Sequence, residues 1–95
     1  TAMKHHCPIK WLNFFKAACD NHRQQILSLI SKHENINASQ IVSQVSLSQP
    51  TISHHLKILK EANLIIATKK GKEVFYSIDK KSISSCCENF SKRFA

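Results

Sequence analysis

The chain has 95 residues, 14 Lys and Arg against 6 Asp and Glu, six histidines and a single glycine, giving a formal charge of +8. That length is about one domain, and a hydrophobic share of 42% suits a packed core rather than disorder. No apolar run approaches the roughly 18 residues of a membrane span, the first residues lack the apolar stretch of a secretion signal, and none of the four cysteines forms a Cys-x-x-Cys pair. These features point away from a large enzyme, a membrane protein and a disulfide-stapled secreted miniprotein. They point towards a cytoplasmic domain with reduced thiols and an anionic partner.

In chain order, residues 1–8 read as a flexible N-terminal segment and residues 9–95 as one domain. Ile9, Trp11, Leu12, Phe14 and Phe15 form the first apolar helical block, opened by Pro8 at a tolerated first-turn position. Asn21 with Gln24 three residues on is a capping box, and Ile26, Leu27, Leu29 and Ile30 extend the second helix from Asn21 to His33. Asn37 and Gln40 repeat the capping pattern ahead of a short third helix that buries Ile41, Val42 and Val45. After the turn at 45–50, Ser48 caps a fourth helix from Gln49 to Glu61, with Pro50 in its first turn and Ile52, Leu56 and Leu59 on its apolar stripe. The period then shortens: Leu64 to Thr68 and Glu73 to Ile78 are strand-like runs flanking Lys69-Lys70-Gly71-Lys72, where the lone glycine supplies the positive φ of a tight hairpin. Asp79 caps a last helix that carries Ile83, Cys86, Cys87, Phe90 and Phe94 on one stripe.

A short helix joined by a turn to a helix with a polar N-terminal face, followed by a basic hairpin, is the logic of a winged helix-turn-helix. The expected fold is mainly α with a β-hairpin wing, in the order ααα-turn-αββα. The fourth helix is narrow enough for the DNA major groove, and seven of the 14 basic residues lie between Ser48 and Lys81, on or beside that helix and the wing.

The run from Leu47 to Ile65, with Ser53-His54-His55-Leu56 followed by Leu59, resembles the recognition-helix signature of the ArsR/SmtB family of dimeric bacterial repressors. The segment from Asp20 to Leu27 resembles the start of that family's second helix, and Lys70 to Ile78 its wing and following strand. The match spans about residues 10–90; Asn63 stands where the family usually has glycine, and Asn also tolerates the left-handed conformation of a helix end. The resemblance implies a sequence-specific DNA-binding transcriptional repressor, a homodimer on a palindromic operator. Ser48, Gln49, Thr51, Ser53, His54 and His55 are the candidate contacts to bases or phosphates, and Lys57, Lys69, Lys70 and Lys72 the phosphate-neutralising cations. For Ser53 and His55 helix packing is the competing role. Trp11, Phe14, Phe15, Phe90 and Phe94 place large aromatics on the terminal helices, where the resemblance puts the dimer interface.

Two metal sites of the family are missing here: the third helix has no Cys-x-Cys, and no histidine follows His55. Cys86 and Cys87, with Cys7 and Cys19 around the first helix, remain as candidates for an As(III), Sb(III) or other thiophilic inducer, or for an oxidant. Their competing role is as small buried hydrophobes. The alternative function is a winged-helix protein-interaction module without specific DNA binding, which would expose an apolar fourth helix. Nothing in the chain assembles a nucleophile, a phosphate loop or a carboxylate pair, so no enzyme is expected.

Overall fold

The computed structural model describes residues 9–94, with side chains from Trp11 onward. The segment 1–8, with Cys7 and Pro8, lies outside the described residues. The elements are α1 (Ile9–Ala18), α2 (Asn21–Ser31), β1 (Ile36–Asn37), α3 (Ala38–Gln44), α4 (Gln49–Glu61), β2 (Ile65–Lys70), β3 (Glu73–Ile78) and α5 (Lys80–Arg93).

The helices start where their caps dictate. Asn37 and Gln40 form a reciprocal capping box at α3, Ser48 caps α4 with Pro50 in the first turn, and Asp79 accepts the Ser82 N–H at 3.0 Å to open α5. At α2 the cap is Asp20 rather than Asn21: its carboxylate accepts the Arg23 N–H at 3.0 Å. Gln24 does not return to the cap but donates to the Ala18 carbonyl at the end of α1. An acceptor-only carboxylate is the stronger partner for free N–H groups at a helix start. Helix α2 also stops at Ser31, because the N–H groups of Lys32 and His33 close back on the carbonyls of Leu29 and Ile30.

The sheet is three-stranded and antiparallel, in the order β1-β3-β2. The sequence pattern gives no sign of β1; its two residues pair Ile36 with Tyr76 and Asn37 with Phe75. The hairpin is tighter than expected. Lys69 and Lys70 are paired with Val74 and Glu73 inside the ladder, leaving Gly71 and Lys72 as a two-residue turn. Gly71 has φ +65 and Lys72 is not in the positive region, the pattern of a type II′ turn.

Ile26, Ile30, Ile36, Ile41, Ile52 and Leu59 are fully buried, drawing α2, β1, α3 and α4 into one core. Each such side chain contributes about 1.5–3 kcal/mol of burial. Helix α5 contributes no fully buried residue, and Ile83 and Cys86 only pack against the core's edge. The described chain is accordingly elongated, 48 × 23 × 20 Å.

Candidate nucleic-acid interface

Helix α4 is divided lengthwise. Ile52, Leu56 and Leu59 face the core, while Gln49, Ser53, His54 and Lys57 are exposed. Gln49, Ser53 and Lys57 recur every four residues and so share one outward stripe. That stripe runs beside the hairpin: Ser53, Lys57 and Lys60 line a cleft of about 260 Å³ with Ala67, Val74 and Tyr76. Lys69, Lys70 and Lys72 are exposed along the hairpin, and Lys70 Nζ lies 5.9 Å from the Phe75 ring centroid. The exposed face of α4 is thus polar and cationic, the opposite of what an apolar docking helix presents.

Three expected contact residues have commitments within the chain. Ser48 and Thr51 are hydroxyl to hydroxyl at 2.8 Å, and the Ser48 oxygen also accepts the Thr51 N–H, so both serve the start of α4. Thr51 is half-buried. His55 is half-buried and turned towards α2, with its Nδ1 3.3 Å from Arg23 Nη1 and its ring stacked on His22 at 6.1 Å between centroids. Partial burial holds the His55 imidazole below its ordinary pKa; Asp20 opposes the shift, while Arg23, His22 and His54 reinforce it. The Asp20 carboxyl is held below the usual carboxylate range, first by the Arg23 N–H that it accepts. Arg23 went unseen as a site residue in the sequence, because its partner His55 lies 32 positions away and no spacing rule connects them.

The terminal-helix aromatics form a graded series. Phe14 is 4% exposed and belongs to the core, so its surface is used within the chain and it is not free for an interface. Phe15 meets Phe14 at 5.2 Å and Phe90 at 5.1 Å, and Phe90 meets Phe94 at 5.1 Å. Phe90 is 42% and Phe94 71% exposed, and Leu12 of α1 adds a further 47% exposed side chain. Trp11 is half-buried in a cleft with Asn63, Lys81 and Cys86.

The cysteines do not converge within the described chain. Consecutive helical residues point about 100° apart; Cys86 packs on the core edge while Cys87 is exposed. Cys19 is exposed at the other end of α1. Among the described residues, no group of three or more His, Cys, Asp or Glu is placed to hold a metal ion. A three-thiolate site therefore does not fit a single described chain. No helix of the described residues is long and apolar enough to cross a membrane.

A braced helix with a polar outer face beside a lysine-bearing antiparallel hairpin defines a winged helix-turn-helix domain of the DNA-binding class. The chain belongs to the family described as bacterial regulatory protein, arsR family, whose model matches residues 20–67. It is similar to the transcriptional repressor SdpR of Bacillus subtilis (strain 168), 42% identical over 70% of this chain and 73% of the relative. It is also similar to the arsenical resistance operon repressor of Escherichia coli (strain K12), 33% identical over 70% of this chain and 57% of the relative. Among solved structures, the homodimeric winged helix-turn-helix DNA-binding domain of Mb0332 from Mycobacterium bovis, a possible ArsR-family transcriptional regulator, has the same fold. Its TM-score is 0.72 at 24% identity, over 80% of this chain and 69% of that one. The family and these relatives are transcriptional regulators, not enzymes.

Proposed function

We propose that the chain acts as a homodimeric repressor that reads a roughly palindromic DNA duplex. The observation that carries this reading is the exposed stripe of Gln49, Ser53 and Lys57 on α4, set beside a hairpin with Lys69, Lys70 and Lys72 outermost. Gln49 is suited to an adenine edge, and Ser53 and His54 to hydrogen-bonding a base or phosphate. Lys57 and the wing lysines neutralise phosphates. Ser48 and Thr51 hold the start of α4 at the groove. Phe15, Phe90, Phe94 and Trp11 form the dimer face, supported by the exposure of Phe90 and Phe94 on an α5 that a single chain leaves without a fully buried residue.

The test is the salt dependence of duplex binding. Lys70→Ala with Lys72→Ala should weaken binding to all sequences and lower the slope of log K against log salt by about 2, one for each phosphate that is no longer neutralised. Gln49→Ala should instead change sequence preference. An unchanged salt slope in the lysine variant removes the wing from the interface.

An inducer acting through Cys87 and Cys86 extends this reading, supported by the exposure of Cys87 and by the arsenical-resistance repressor among the relatives. A thiophilic metalloid would need a further thiolate from outside the described chain; an oxidant would need none. Loss of duplex binding on adding arsenite or peroxide, abolished by Cys86→Ser with Cys87→Ser, is the expected result. Equal binding with and without both reagents rejects the sensing role.

A further inference from the structure

Arg23 holds three elements at once. Its backbone N–H is taken by Asp20 at the start of α2, at 3.0 Å. Its Nε donates to the Ala17 carbonyl in the last turn of α1, at 2.9 Å. Its Nη1 lies 3.3 Å from His55 Nδ1 on α4. A guanidinium can only donate, so this last contact requires an unprotonated Nδ1 and fixes the neutral His55 tautomer with its proton on Nε2. One planar fork therefore spans from the aromatic-bearing first helix to the helix with the polar outer face, and Lys, a point donor on a flexible stem, cannot reproduce it.

We propose that Arg23 is a positioning residue for DNA binding: it locks α4 against α1 through His55 and so sets the angle at which each α4 of a dimer meets its half-site. This rests on the DNA-binding reading above. Neither Arg23 nor His55 need touch DNA for the lock to matter, because two recognition helices must fit half-sites at a fixed separation. A small rotation of α4 relative to the dimer helices misplaces both at once.

The lock is also proton-sensitive. The groups facing His55 are Asp20, His22 and Arg23 from the start of α2 and His54 from α4 itself. Protonating His55 removes the acceptor for Arg23 and sets a cation against a guanidinium, with Asp20 as the only opposing charge among these groups. His22 and His54 are unchanged in a His55 variant. The His55 contribution is therefore isolated by comparing the wild type with His55→Gln, which cannot titrate.

The experiment measures affinity for a duplex selected from a random pool by the wild-type protein. The variants are Arg23→Met, His55→Phe, the double variant and His55→Gln, each checked for folding by its circular dichroism melt. At about pH 7.5, where histidine is mostly neutral, Arg23→Met and His55→Phe should each weaken binding by about five- to tenfold, and the double variant by no more than either alone. As pH is lowered from about 7.5 through about 6.5 and on until His55 protonates, the wild type should lose affinity relative to His55→Gln. Losses that multiply in the double variant, or equal pH profiles for wild type and His55→Gln, overturn the lock. Were Arg23→Met unfolded, the His55→Gln comparison alone still decides. Failure of the wild type to enrich any duplex would instead overturn the DNA-binding reading itself.

Discussion

Asn63 shows how a single residue ends α4. It has φ 61, the only non-glycine residue at positive φ among those described. Its N–H donates to the Lys60 carbonyl at 3.1 Å, and the next N–H, of Leu64, reaches back to Leu59 at 3.0 Å. This turn delivers Leu64 and Ile65 to the core at the start of the wing. The left-handed conformation costs an ordinary L-residue about 1–2 kcal/mol, and glycine avoids it. Asn63→Ala should therefore lower stability by about 1 kcal/mol, while Asn63→Gly should be neutral or stabilising, as read from urea denaturation. The chain's only glycine, Gly71, meets the same demand at the wing tip, and its place between two strand-like runs makes that requirement legible in the sequence. His55 and Asp20 give a second residue-scale expectation. The folded pKa of His55 is depressed, so the unfolded chain binds that proton first, and stability falls as pH drops through about 6.5 towards the folded value. Asp20 is also depressed, so its contribution is present above about 3.9 and is lost on further acidification. Denaturation at graded pH should show both phases, and His55→Gln should remove the upper one.

Among the elements, α4 was the most legible: Ser48, Pro50 and the Ile52-Leu56-Leu59 spacing fix its start and its face, and its observed span is the expected one. Replacing Ser48 by Ala should cost about 1 kcal/mol, since it deletes the cap and the Thr51 hydroxyl contact together. The melting temperature should fall by a few degrees. The wing was legible in kind but not in extent. Lys69 and Lys70 read as loop residues because lysine is a poor strand former, yet pairing with Val74 and Glu73 carries them into the ladder. β1 was invisible because two residues show no period; Ile36 is fixed by burial in the core and by pairing with β3. The sequence pattern sets the cap of α2 one residue late, at Asn21, because Asp20 and Asn21 are both good cap formers, and the choice is made by which oxygen reaches the Arg23 N–H. The Arg23–His55 contact is hidden for a different reason: it is tertiary, and the local patterns that hold each partner, Asp20 to Leu27 and Ser53 to Leu56, do not say that the two meet.

At the scale of the whole molecule, the core is built by α2, β1, α3, α4 and the start of β2, and the terminal helices are only partly used by it. Phe14 anchors α1 into that core, and the rings then step outward through Phe15 and Phe90 to Phe94. An aromatic surface of this kind is costly to leave in water. For the proposed dimer, Phe90→Asp with Phe94→Asp should give a monomer in sedimentation and weaken duplex binding, while the core, which includes neither residue, keeps its melting transition. Ile52→Ala is the contrasting substitution: it should destabilise the fold by about 2–5 kcal/mol, because Ile52 is fully buried on the inner face of α4.

The proposed reading of DNA by α4 and the wing, paired across a twofold axis, is open to a direct check: selection of duplexes from a random pool by the wild-type protein. The expected outcome is enrichment of an inverted repeat whose half-sites lie about one helical turn, roughly 10 base pairs, apart. A pool that remains random after selection, or that enriches only single unrepeated sites, would contradict it.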